Sequence, residues 1–204
     1  MFRNGPEPAR LESMTTMSTM PASPAGKPKK RGVIITAEAF EDEEVMYPIM
    51  RLREADITID IATKDAKLVN GRLGFPLELM VRYYGTLVDA KKLDVAHYDF
   101  VILPGGFEAP DRVRQIPEVL AFVRGMDAAK KTVAAFCHGP WILISAGLLK
   151  GRRATGYVGI KDDIANAGAQ YLDEPVVIDG NILTSRHPRD IGHFMRALLQ
   201  QIGG

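Results

Sequence analysis

The 204-residue chain has one cysteine, Cys137, and a histidine follows it directly. In Val133-Ala134-Ala135-Phe136-Cys137-His138-Gly139-Pro140 an apolar, β-prone stretch runs into the cysteine, and a helical pattern opens just beyond it. That is the strand–turn–helix setting of a nucleophile elbow, in which small flanking residues, here Ala135 and Gly139, leave room for a tight turn. A thiol at a helix N-terminus meets exposed amides and the positive end of the helix dipole, and both favour the attacking thiolate. The sequence therefore predicts a readily ionised Cys137. Free cysteines are often only small buried hydrophobes. The elbow is what makes this one a candidate nucleophile.

Other residue types nearby could serve it. At an elbow the His138 imidazole can fold back beside the sulfur as general base or acid. Leu103-Pro104-Gly105-Gly106 ends a β-type run, and the Gly106 amide, next to Gly105, could join the His138 amide as an oxyanion hole. Seen alone, Pro-Gly-Gly is a plain turn. After the first strand comes an acidic loop holding Glu38, Glu41, Asp42, Glu43 and Glu44. Loops after strand ends converge on one crevice in a doubly wound sheet, so a carboxyl from this loop can meet the cysteine. Residue type alone does not choose among them, and Glu38, Asp42, Glu43 and Glu44 read as solvated charges or caps of the next helix. Glu108, Gly139, Arg186 and His187 are further pocket candidates, while His97 and His193 read as surface residues.

The elements that must position these residues alternate. Val33–Thr36, Thr58–Ala62, Phe100–Leu103 and Thr132–Phe136 read as buried strands, and helical spacing marks 43–55, 117–129, 139–149, 161–167 and 189–202. Pro48 should kink the first of these helices. Asn70-Gly71 carries a hairpin signal, as does Asp179-Gly180-Asn181 between Val176–Ile178 and Ile182–Thr184. Strands alternating with helices argue an α/β sandwich with a mainly parallel sheet.

A net charge of +1 gives no basic excess for nucleic acid or anionic membrane. No apolar run approaches the length of a membrane span. A lone cysteine excludes an internal disulfide and fits a reducing, cytoplasmic setting. Met1 to Lys30 is rich in Pro, Ser, Thr and Met and ends in a basic run, so it reads as a disordered extension ahead of a domain over residues 31–204.

Several segments, in order, resemble the ThiJ/PfpI superfamily and its PfpI-type branch: Thr36 to Glu44, Leu103-Pro104-Gly105-Gly106, Cys137-His138-Gly139-Pro140, Leu143 to Gly147, Gly159 to Asp163, and Val177 to Asn181 followed by Ser185-Arg186. The resemblance implies a flavodoxin-like three-layer fold, self-association as a dimer or a dimer-built hexamer, and no metal or organic cofactor. It assigns Glu41 as the carboxyl beside the cysteine. It also implies a third catalytic acid, supplied by a neighbouring subunit shortly after the Gly-Gly pair. Here Asp111 stands at that place, one methylene shorter than the family's Glu, with Glu108 as a second candidate and an N-cap as the plainer role for Asp111. The implied activities are peptide hydrolysis, hydration of dicarbonyls such as methylglyoxal, and removal of early glycation adducts. A redox or stress sensor, or a chaperone-like protein with an oxidisable Cys137, is the alternative without turnover. His187-Pro188 is similar to the His-Pro of class I glutamine amidotransferases, but Arg189 stands where those carry Glu.

Overall fold

The computed structural model describes residues 30–203, so the expected extension falls, except for Lys30, outside the described residues. Lys30 itself reaches Asp99, 3.3 Å away. Along the chain come β1 (Arg31–Ile35), α1 (Asp42–Glu54), β2 (Thr58–Thr63), α2 (Leu77–Tyr83), β3 (Thr86–Asp89) and β4 (Phe100–Leu103). Next are α3 (Glu108–Val113), α4 (Pro117–Ala128), β5 (Thr132–Phe136), α5 (Pro140–Ser145), β6 (Arg153–Ala154) and α6 (Lys161–Asn166). The last are β7 (Gln170–Tyr171), β8 (Val176–Asp179), β9 (Ile182–Ser185) and α7 (Ile191–Ile202).

Seven strands form one sheet in the order β3-β2-β1-β4-β5-β9-β8. All pairs are parallel except β8 with β9, which the Asp179-Gly180-Asn181 turn joins. The central strands are apolar on both sides, as a sheet covered on both faces requires. Their residues divide with period two: Val33, Ile35, Val101, Leu103, Val133 and Ala135 face one core with α4, α5 and α6. Ile34, Phe100, Ile102, Ala134 and Phe136 face the other, with α1, α2 and α7. This is the expected three-layer α/β sandwich. The strand order reverses between β1 and β4, so the loops after β1, β4 and β5 open side by side at the C-terminal edge of the sheet. No helix among the described residues is long and apolar enough to cross a membrane.

Some local expectations change. Helix α1 runs unbroken through Pro48, which is buried on its inner face. The helix after the cysteine stops at Ser145 and the chain turns at Gly147 (φ +74°), well short of Leu149. Asn70-Gly71 opens a small antiparallel turn, closed by the Asn70–Pro76 bridge and by the Gly71 amide on the Phe75 carbonyl at 2.8 Å, but no named strand continues it. That turn is folded around the buried carboxylate of Asp42, which accepts from the Leu73 amide at 2.9 Å and the Phe75 amide at 3.1 Å. Asp42 is thus an internal clamp, not the solvated charge its setting suggested.

That clamp is testable. Asp42→Ala leaves two amides without their acceptor and should lower unfolding free energy by about 1–3 kcal/mol. Asp42→Asn keeps one acceptor oxygen and should lose about half as much, measured by urea denaturation.

Candidate active site

Strand β5 carries the chain to Phe136, and Cys137 then takes a left-handed backbone conformation, φ +58°, unusual for a residue with a side chain. The neighbours fix it there. The Cys137 amide donates to the Ser185 carbonyl (3.0 Å), the Gly139 amide donates to Phe136 (2.8 Å), and the Cys137 carbonyl accepts from Tyr157 (2.8 Å). A side chain on Gly139 would collide with the backbone carbonyl of Leu103, so the crossing of β4 and the elbow needs glycine there. Gly139 is therefore a packing element behind the site and does not line it, contrary to expectation.

The carboxyl beside the sulfur belongs to Glu44. It is fully buried on the first turn of α1, and its Oε2 accepts from the Gly105 amide at 2.6 Å. A Cβ built on Gly105 would lie 2.5 Å from the Cys137 Cβ and 2.8 Å from that oxygen, so only glycine lets the three groups close up. Burial pushes Glu44 up to about 8; the Gly105 hydrogen bond opposes this, and the charge of Glu41 adds to it. Burial also pushes the Cys137 thiol up, followed by the charge of Glu44, against the amides of Gly106 and His138, which reach the sulfur and favour its anion. The expected freely ionised thiol is thus replaced by a buried thiol–carboxyl pair. At neutral pH Glu44 holds its proton, and in that state no negative charge opposes the thiolate.

Glu41, expected at the sulfur, sits one residue before α1 and is paired with Arg72 at 2.6 Å. It lines the same cavity, and its charge is felt by His138. The exchange of roles follows from helical geometry. Glu44 precedes Pro48 by one turn and belongs to the inward stripe with Val45, Ile49 and Leu52. That spacing was readable in the sequence.

His138 Nδ1 is 3.3 Å from Cys137 Sγ. Its ring stacks on Tyr157 (4.7 Å between centroids) and leans on Trp141, which is anchored to Asp163 at 2.8 Å. Burial lowers the His138 pKa, so the ring is neutral at pH 7. Gly106 adopts φ +75°, a conformation that suits glycine.

The remaining candidates separate. His187 lines the cavity with Cys137 and His138. Arg186 does not, because Asp173 (2.7 Å) and Asp190 (3.0 Å) hold it. Glu108, half-buried, pairs with Arg112 at 2.8 Å, and the exposed Asp111 accepts from Gln115 at 3.1 Å; both line a different depression. Asp111 lies inside α3 and is no N-cap, since the residue capping α4 is Ile116. Within one protomer it does not reach His138's cavity.

This combination, a flavodoxin-like sheet with a strained cysteine elbow over a buried acid, defines a class. The DJ-1/PfpI family profile matches residues 30–201, and the chain belongs to that family. It is 39% identical to the deglycase PfpI of Pyrococcus furiosus over 168 residues, 82% of this chain and 96% of that one. It is 38% identical to general stress protein 18 of Bacillus subtilis over 175 residues, 84% of this chain and 96% of the relative. Among solved structures, a two-domain protein from Anabaena variabilis with DJ-1/ThiJ/PfpI-like and ferritin-like domains superposes with a TM-score of 0.78 at 36% identity. That match covers 86% of this chain and 48% of the other, so the chain spans about half of the two-domain protein.

The buried acid should show in the stability. Native Glu44 keeps its proton to about 8, against an ordinary value of 4.5. Between those values the native state binds more protons than the unfolded chain, so this contribution is full at low pH and is lost as pH rises. Glu44→Gln has no such ionisation. From roughly pH 5 to 8 the wild type should lose on the order of 4 kcal/mol relative to the variant. Urea unfolding of both proteins across that range checks it; parallel curves would mean that Glu44 titrates as a solvated acid.

Proposed function

We propose that the chain is a cysteine-dependent enzyme of carbonyl chemistry, hydrating dicarbonyls such as methylglyoxal and removing their early adducts from amines. The observation that carries this reading is the Cys137–Glu44 pair: a thiol on a strained elbow, a fully buried acid against it, and a neutral imidazole nitrogen 3.3 Å from the sulfur. The deglycase name of the Pyrococcus furiosus relative supports it.

The Cys137 S–H bond breaks as its proton passes to His138 Nδ1, the sulfur adds to the aldehyde carbon to form an S–C bond, and the carbonyl oxygen takes up a proton from Glu44. The amides of Gly106 and His138 hold that oxygen while it carries charge. The hydrogen on the same carbon then moves, as a proton, to the adjacent ketone carbon through an enediol. The Glu44 carboxylate left by the first step carries it, and a thioester remains. Water cleaves the thioester, the S–C bond breaks, and the sulfur regains a proton. The sum is dicarbonyl plus water to hydroxy acid, with no outside oxidant or reductant.

In this reading Glu41 and Arg72 shape the cavity wall, and His138 is oriented by its aromatic neighbours. Self-association would bring Asp111 of one subunit toward a neighbour's histidine, as a third acid for peptide hydrolysis.

Steady-state conversion of methylglyoxal, with chiral analysis of the lactate formed, is the test. Cys137→Ser should abolish stereospecific lactate. Glu44→Gln should keep a hydrogen bond to the sulfur but lose proton transfer, lowering kcat by about 10²–10⁴-fold while Cys137 still alkylates. Wild type that makes no lactate, with a Cys137 that oxidises readily to the sulfinic acid, would transfer the site to the redox-sensing reading.

A further inference from the structure

The cavity over Cys137 encloses about 1050 Å³, far more than a three-carbon dicarbonyl fills. Its lining includes Tyr47, Phe107, Tyr157 and Ile191, apolar surfaces suited to the body of a larger molecule. Its cations are not equivalent. Arg72 is bonded to Glu41 and lies in the field of Asp42 and Glu43. Arg186, behind the wall, is held by Asp173 and Asp190. Arg189 is exposed at the cavity and, among the described residues, enters no ion pair.

His187, two residues earlier, has a fixed tautomer. Its Nδ1 accepts from the Arg189 amide at 3.3 Å, so the neutral ring carries its proton on Nε2. An Nε2–H donor and an unpaired guanidinium therefore share one stretch of wall, between β9 and α7. A carboxylate matches that set, with two coplanar oxygens for a forked donor and a lone pair left for the imidazole N–H.

We infer that the site is built for carbonyl substrates with an apolar body and a distal carboxylate, which Arg189 and His187 receive while Cys137 takes the carbonyl. This rests on the reading of Cys137 as a carbonyl-directed nucleophile, and it names the substrate class that the cavity selects.

Benzaldehyde and 4-carboxybenzaldehyde are matched probes. Each adds reversibly to a thiol, forming an S–C bond while the aldehyde oxygen gains the thiol proton, and neither requires turnover. The readout is protection of Cys137 from iodoacetamide. 4-Carboxybenzaldehyde should protect the wild type at about tenfold lower concentration than benzaldehyde. Arg189→Gln should bring the two within about twofold, Arg189→Glu should reverse the order, Arg189→Lys should keep most of the preference, and His187→Gln should reduce it by about threefold. Equal protection of the wild type, or a preference that survives both Arg189→Gln and Arg189→Glu, would overturn the carboxylate subsite and leave the carbonyl chemistry standing. Protection by neither aldehyde would overturn both.

Discussion

A carboxyl group with no solvent exposure stands against a thiol that is 5% exposed, and much of the surrounding structure exists to make that tolerable. Burying Glu44 as an anion would be prohibitive without partners, so it is kept neutral and given one strong donor, the Gly105 amide. That amide is available only because β4 ends at Leu103 and the chain turns through a glycine pair with no side chain to intervene. The thiol is presented only because β5 breaks into a left-handed residue whose amide and carbonyl are both taken by neighbouring loops. Three consecutive loops of a parallel sheet thus contribute one group each, and the order reversal between β1 and β4 is what sets them side by side.

The pair has a chemical consequence that neither residue has alone. A solvated thiol at a helix end would ionise freely and react with any electrophile or oxidant that reached it. Here burial holds the thiol proton, and the short helix α5, only six residues from Pro140 to Ser145, contributes little dipole to offset it. In the mechanism proposed above, the sulfur becomes a good nucleophile when a substrate carbonyl arrives that can take the Glu44 proton. Reactivity is thereby coupled to the presence of a proton acceptor, which favours productive addition over indiscriminate alkylation.

The fold was legible because its signals were strong and local: uninterrupted apolar strands, a second hairpin with Gly at its turn, and helical stripes between them. Legibility failed where a tertiary contact overrode local pattern. Asn70-Gly71 does open an antiparallel turn, but its tip is held by Asp42, about thirty residues earlier, which no short window shows. The elbow glycines and Cys137 could be read from spacing. Glu41 and Glu44 could not be told apart by acidity, because both are glutamates in one acidic loop; only the inward stripe of α1 separates them. The expected ease of Cys137 ionisation erred for the same reason, since the effect of burial depends on what packs above the elbow.

The rigid and the adjustable parts of this site lie on different elements. Cys137, Gly105 and Gly106 are set by strand ends, Glu44 by the first turn of α1, and the approaches at the two glycines are too close for an added Cβ, so the reacting geometry has almost no freedom to change. The cavity wall is different. Arg72 lies on the loop folded around Asp42, and His187 and Arg189 lie on the short turn that precedes α7. Substitution there alters charge and donor pattern without moving a strand, because those side chains meet solvent and each other more than the core. A fold of this kind can therefore hold one way of activating a sulfur while what reaches that sulfur is decided by a few exposed residues on two loops. In this chain those loops carry two guanidiniums of unequal availability, one neutralised by Glu41 and one open. That asymmetry is what the proposed carboxylate subsite rests on, since only the open guanidinium is free to receive an anion.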